Sequence, residues 1–245
     1  RPTCGAGAVA VLIGRDSPLA FRPKERATHA AHVWDFFKPD HTVEYPTVDG
    51  ALSQVCYYQA IEDVYERLIC NIQKAKGEED AQQQQQQHDN TTSNSTNSES
   101  FHAESHDYWV FHAPYNKLVQ KSYGRLFLTD ARRRRHRQIM GNDETKETES
   151  SSASSSNDND NDRDNNNDNT TTNPLEEWLT KPIQETYGDK RLEKALKSVS
   201  AKAYQERFAD SNAASILVGN TYTASVFLGL ASLIDKAGRR GDLSP

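Results

Sequence analysis

The chain has 245 residues, a net charge of −6 at neutral pH, 35% hydrophobic residues and a mean hydropathy of −0.87. An acidic balance of this kind argues against general attraction to nucleic acid or to a membrane surface. No apolar run approaches the ~20 residues that span a bilayer. The cysteines at positions 4, 56 and 70 are odd in number and lack metal-ligand spacing, so neither a disulfide framework nor a metal site is expected.

Two polar tracts interrupt the chain and lower its mean hydropathy. Residues 77–105 contain a glutamine run, and residues 132–173 begin with an arginine block, Arg132–Arg137, that leads into an Asp, Asn, Ser and Thr-rich stretch. Such compositions cannot bury enough apolar surface to offset the entropy of ordering, so both tracts are predicted to be disordered insertions. The arginine block lacks interleaved aromatic residues that could stack on bases. We therefore interpret it as the basic half of a solvent-exposed insertion, whose acidic half neutralises it, rather than as a nucleic-acid-binding patch.

The first ordered part, residues 1–76, is predicted to contain a strand and a long helix. Gly5–Gly14 has the small and β-branched residues of a buried strand, with Cys4 as a packing residue at its mouth. Asp49–Gly50 begins a helix whose apolar residues recur at helical spacing. Ser53 lies in its first turn, where a hydroxyl either contacts a ligand or helps to cap the helix.

The second ordered part, residues 106–131, carries the strongest chemical signal. The apolar run Tyr108–Phe111 predicts a strand, and a helix is predicted after Pro114. His112 lies at the corner between them, and Lys117 and Lys121 share one helix face. An imidazole beside a helix N-terminus and two ammonium groups suits an acidic or carbonyl-bearing ligand. A half-buried loop histidine with two solvated lysines is the alternative.

The third ordered part, residues 174–245, repeats this arrangement. A helix is predicted from about Asp189 to Phe208, then a short buried strand, Ser215–Val218, and an apolar, central helix over Thr223–Ala237. Asn220 and Tyr222 lie at the second corner, where capping a helix is the ordinary role of Asn. Because ligands collect at the carboxyl ends of strands in α/β sheets, His112 and Asn220 are predicted to face one pocket.

Several of these stretches, in order, resemble hydroxymethylglutaryl-CoA synthase. Phe111-His-Ala-Pro-Tyr115 followed by Lys117-Leu-Val-Gln-Lys121-Ser122 is similar to the catalytic-histidine segment of that family, and so are RPTCGAGAVAVLIG at the start and NTYTASVFLGLAS from Asn220. The resemblance implies an α/β fold with the layered α-β-α architecture of thiolase-like proteins, incomplete here and carrying the two insertions. Residues 1–76 would then span the end of the N-terminal half of that fold and the start of its C-terminal half. Residues 174–245 would form the truncated remainder of the C-terminal half.

The resemblance also implies a reaction, the condensation of acetyl-CoA with acetoacetyl-CoA to 3-hydroxy-3-methylglutaryl-CoA in the mevalonate pathway of isoprenoid biosynthesis. In that scheme His112 is the general acid near the ketone. Ser53, Lys117, Lys121 and Asn220 contact the acyl-CoA, with Asp35 and Tyr222 behind them. Coenzyme A thioesters are substrates, no cofactor or metal is implied, and the full-length protein is expected to be a homodimer.

One departure from the family pattern shapes the expectation for this chain. The family's nucleophilic cysteine and catalytic glutamate lie upstream of the stretch that matches Arg1, so we expect a catalytically incomplete fragment. A non-catalytic acyl-CoA-binding or dimer-forming remnant of the same fold is the alternative. A regulatory protein that uses the arginine block to bind nucleic acid is a third reading. A cytoplasmic location is expected, and a mitochondrial one stays open.

Overall fold

A computed structural model of the chain describes residues 4–86, 101–149 and 173–242. The described elements are strands β1 (Phe36–Phe37) and β2 (Thr47–Val48) and helices α1 (Gly50–Gln86), α2 (Asn116–Glu149), α3 (Glu176–Leu179), α4 (Lys190–Val199), α5 (Ala201–Arg207), α6 (Ala209–Val218) and α7 (Ala224–Arg240), with short 3-10 turns at Pro23–Glu25 and Ile183–Thr186. None of the helices in these ranges is long and apolar enough to cross a membrane.

Helix α1 begins at Gly50, where the sequence predicts it. The Asp49 carboxylate accepts hydrogen bonds from the amides of Ala51 and Leu52 at 3.1 and 3.0 Å, which satisfies two of the unpaired amides of the first turn. The antiparallel pair β1 and β2 leads into this cap, with Phe36 opposite Val48. The cap therefore fixes the start of α1 against the preceding hairpin.

Helix α2 is the central element, because it is covered on two sides. One cluster of buried apolar residues joins it to α1 and α5 through Ile69, Tyr123 and Tyr204. Another joins it to α3 and α4 through Leu128, Trp178 and Leu192. Burying each such side chain contributes about 1.5–3 kcal/mol. The sequence prediction that α7 is the central helix is wrong, since α7 leaves several large apolar side chains exposed.

Three predicted strands are not strands in the structure. Gly5–Gly14 is an irregular segment that exposes Leu12 and Ile13, and Tyr108–Phe111 is half-buried but has no ladder partner among the described residues. Ser215–Val218 is the last turn of α6, which ends at Gly219 with a φ of 86°. A run of four residues does not by itself separate a strand from the end of a helix. The predicted burial is also wrong, because Ile216, Leu217 and Val218 are exposed.

The tract over residues 77–105, predicted to be disordered, is ordered at both of its ends. Residues 77–86 continue α1, and Phe101 and Ala103 are buried in the core. Extending an existing helix needs no new nucleus, so a polar stretch can add turns at its end. The remaining residues, 87–100, lie outside the described ranges.

The arginine block is helical, as part of α2, rather than disordered. Arg132 donates at 2.7 Å to the carbonyl oxygens of Trp178 and Lys181, and Arg135 pairs with Glu176. Two of its arginines therefore hold α2 against α3 and the turn that follows. The acidic stretch over residues 150–172 lies outside the described ranges.

Candidate functional site

His112 lies on the loop that precedes α2 and is half-buried. It lines a cleft of about 360 Å³ together with apolar residues of α1 and with Trp109 and Phe111. Burial disfavours the charged imidazolium and lowers the pKa of His112 below its ordinary value. At neutral pH His112 is therefore a neutral imidazole with one N–H donor and one acceptor nitrogen.

The peptide group that follows His112 is held by two helices, one on each side. The Tyr57 hydroxyl of α1 donates to the His112 carbonyl oxygen at 2.5 Å. The Ala113 amide donates to Ser225 Oγ of α7 at 2.9 Å, and Ser225 is fully buried. Sequence analysis missed both residues. Two sequence features could have identified them: Tyr57 carries a hydroxyl one helical turn after Ser53, and Ser225 is a serine in an otherwise apolar helix.

Ser53 and Asp35 are brought together as a pair. Ser53 Oγ donates to the Asp35 carboxylate at 2.7 Å. Because Asp49 caps α1, the alternative that Ser53 caps it does not hold. With its proton engaged by Asp35, the Ser53 oxygen is available to accept a hydrogen bond from a ligand.

The two lysines have different surroundings. Lys121 donates to the Glu193 carboxylate of α4 at 2.9 Å and is half-buried. Lys117 is exposed, and within the described ranges it forms no hydrogen bond or ion pair. Glu193 therefore already neutralises one of the two ammonium groups on this helix face.

Asn220 shapes the second corner. Its side-chain oxygen accepts from the Tyr222 amide at 2.8 Å, and its carbonyl accepts from the Gly5 amide at 2.9 Å. Tyr222 has a φ of 53°, in the left-handed region that the Asn220 turn supports. Asn220 therefore stabilises a turn before α7 and does not cap the helix itself. Tyr222 is exposed, with its hydroxyl 3.7 Å from Cys4 Sγ.

One hydrogen bond connects the loop of His112 to the helix that follows Asn220. The bond from Ala113 to Ser225 ties the His112 loop to the first turn of α7, five residues after Asn220. The cleft beside His112 is lined by α1, residues 109–112 and Leu126, whereas Asn220 lies against the N-terminal segment. A shared cavity for His112 and Asn220 thus remains a prediction. His112 follows a loop and Asn220 follows helix α6, whereas the sequence analysis predicted a strand before each of them.

Comparison with solved structures defines the class of fold. The chain is similar to "MvaS in complex with 3-hydroxy-3-methylglutaryl coenzyme A", with a TM-score of 0.50 at 18% identity, over 88% of this chain and 36% of that chain. At this identity the likeness establishes the fold alone, which is the thiolase-like α/β fold of HMG synthases. The described part of the chain represents that fold mainly through its helices.

The sequence narrows this class to one family. The profile of the family described as "Hydroxymethylglutaryl-coenzyme A synthase C terminal" matches residues 19–165 and 150–242, so the chain belongs to this family. It is 34% identical over 236 residues to "Hydroxymethylglutaryl-CoA synthase A" of Dictyostelium discoideum, and 35% identical over 238 residues to "Hydroxymethylglutaryl-CoA synthase, cytoplasmic" of Homo sapiens. Each match covers 96% of this chain but only 38% and 36% of the respective relative.

Proposed function

We propose that the chain supplies the acetoacetyl-CoA-binding and proton-donating part of a hydroxymethylglutaryl-CoA synthase, an acyltransferase of the mevalonate pathway in the cytoplasm. The observation that carries the proposal is His112, a half-buried imidazole whose loop is fixed by two helices, within a sequence that matches the family. The names of the relatives, cytoplasmic in the human case, support the reaction and the location.

His112 acts on the ketone of acetoacetyl-CoA. A carbanion from the acetyl group attacks the ketone carbon, a carbon–carbon bond forms, and the carbonyl π electrons move to the oxygen. His112 holds that oxygen by its N–H. As negative charge develops there, the imidazole takes up a proton on its other nitrogen, and the resulting imidazolium transfers its N–H proton to the oxygen, which gives the hydroxyl of the product and returns the neutral ring. The cysteine that carries the acetyl group and the glutamate that deprotonates it, both implied by the family resemblance, are outside the residues assigned here.

The remaining residues bind the thioester. Lys117 is exposed and therefore suited to the phosphate-bearing part of coenzyme A. Ser53 accepts a hydrogen bond from the substrate, and Asn220 contacts the acyl group with its amide. Lys121, paired with Glu193, contributes through the position of α2 and α4. Asp35 orients Ser53, and Tyr222 orients Asn220. The proposed reaction uses no cofactor or metal. The complete protein is proposed to act as a homodimer.

Binding of acetoacetyl-CoA, measured by titration calorimetry, tests the proposal. The wild-type chain should bind acetoacetyl-CoA more tightly than coenzyme A, and His112→Ala should remove that preference. His41→Ala, at an exposed histidine, is the matched control and should leave both affinities unchanged. Equal affinity of the wild-type chain for the two ligands, or an unchanged preference in His112→Ala, would contradict the proposal.

A binding module without turnover is the second candidate. It is favoured by the kinds of residue assigned here, which are ligand contacts and one proton donor but no covalent acetyl carrier. Both candidates predict binding of acetoacetyl-CoA. Only the synthase predicts that the complete gene product forms 3-hydroxy-3-methylglutaryl-CoA, which a product assay by mass spectrometry decides.

A further inference from the structure

The peptide group that joins His112 to Ala113 is held at both its carbonyl and its amide. Its carbonyl oxygen accepts the Tyr57 hydroxyl at 2.5 Å, and the next amide, of Ala113, donates to Ser225 Oγ at 2.9 Å. Burial raises the pKa of Tyr57, so this hydroxyl keeps its proton and remains a donor. A peptide plane that is fixed on both sides has little freedom to rotate, which restricts where the imidazole of His112 can point.

The two holding residues come from the helices that carry the other proposed substrate contacts. Tyr57 lies four residues after Ser53 on α1, so both side chains are on one helix face. Ser225 lies in the first turn of α7, five residues after Asn220. The His112 backbone is therefore the junction between the helix of Ser53 and the corner of Asn220.

We infer that Tyr57 and Ser225 are positioning residues, which set the place of the His112 imidazole relative to Ser53 and Asn220. The inference rests on the proposed function, because it assigns them a role in acetoacetyl-CoA recognition. A merely structural role would lower stability when either bond is removed, but it would leave the histidine's titration and the ligand preference unchanged.

Tyr57→Phe removes one hydroxyl and keeps the ring. Tyr58→Phe is the matched control, because the adjacent Tyr58 hydroxyl is buried and has no hydrogen-bond partner in the described part of the chain. The first measurement is the NMR titration of the His112 ring in the free chain. In Tyr57→Phe the loosened loop admits water, so the pKa of His112 should rise toward its ordinary value, whereas Tyr58→Phe should titrate like the wild type.

The second measurement is the ratio of the affinities for acetoacetyl-CoA and coenzyme A. Losing one hydrogen bond that orients His112 should reduce the preference for acetoacetyl-CoA by about threefold to tenfold. Ser225→Ala should reduce it similarly. Ser122→Ala, at a buried serine that bonds to its own helix at Leu118, is the control and should not change it.

The outcomes separate the two proposals. If both variants leave the titration of His112 and the ligand preference at the values of their controls, the positioning role is wrong. If the wild-type chain has no preference for acetoacetyl-CoA, the proposed function fails. The titration in Tyr57→Phe still reports, in that case, whether Tyr57 holds the His112 loop.

Discussion

At the residue scale, burial decides the protonation state of the proposed acid. His112 is neutral at pH 7 because desolvation disfavours its charged form. A neutral imidazole donates a hydrogen bond to a ketone oxygen, and negative charge that develops on this oxygen raises the pKa of the ring. His112 therefore takes up a proton as the alkoxide forms, and the imidazolium then protonates it.

The same burial predicts how stability depends on pH. The pKa of His112 is lower in the folded chain than its unfolded value of 6.5, so the unfolded state binds the proton first as the pH falls. The free energy of unfolding should therefore decrease as the pH falls through about 6.5. In His112→Gln this decrease should be smaller, as measured by urea unfolding at several pH values. Parallel curves for the two proteins would contradict the prediction, since the other titrating groups are common to both.

Substitution of Lys117 should affect coenzyme A binding, whereas substitution of Lys121 should affect the stability of the fold. Lys117→Ala should weaken coenzyme A binding by roughly tenfold, the effect of one charge-assisted hydrogen bond, without a change in melting temperature. Lys121→Ala should lower the free energy of unfolding by about 0.2–1 kcal/mol, because it breaks a partly exposed ion pair. Glu193→Gln breaks the same pair and should give a similar loss. A stability loss in Lys117→Ala would show that it has a structural partner.

At the element scale, α2 depends on a buried ion pair that the sequence did not indicate. Arg125 of α2 contacts the Glu62 carboxylate of α1 at 2.5 Å and also donates to Thr186. Glu62 is buried although it is a charged residue. Helical periodicity identifies the apolar stripe, yet a charged partner 63 residues away is invisible to it.

Removing this pair should be far more costly than removing an exposed one. Arg125→Met leaves Glu62 buried without its partner, which should lower the free energy of unfolding by about 3–5 kcal/mol. Arg67→Met, which breaks the exposed pair with Asp63 on α1, should cost about 0.3–0.5 kcal/mol. Chemical denaturation of the two variants gives both values. Equal losses would contradict the assignment of Arg125 as a buried partner.

At the scale of the whole molecule, most of the helices were predictable, but α6 was not, because its last turn was predicted as a strand. The start of α1 at Gly50, the helical region around α4 and α5, and α7 follow from apolar spacing and are confirmed. The predicted strand at Gly5–Gly14 fails because a strand needs a neighbour, and the described residues offer it one parallel bridge, from Cys4 to Asn220. Ser53 and Asp35 are hydrogen-bonded to each other, and their place in the site stays a prediction, whereas the contacts of Tyr57 and Ser225 required the coordinates.

The contact between the N-terminal segment and Asn220 should depend on the absence of a side chain at Gly5. A Cβ there would lie 2.1 Å from the Val218 carbonyl oxygen, so Gly5→Ala must displace the segment and break the bond from Gly5 to Asn220. Faster exchange of the Gly5-position amide and weaker acetoacetyl-CoA binding are expected. Gly14→Ala, where no atom lies within 4 Å, is the control. Unchanged exchange in Gly5→Ala would contradict the contact.

The most direct test follows the His112 ring and the Asn220 carboxamide by NMR while acetoacetyl-CoA is added to the full chain. The two corners are joined through Ala113 and Ser225, so both signals should shift along one binding curve with a single dissociation constant. A response of only one group, or two curves with different constants, would contradict a common acyl-thioester site.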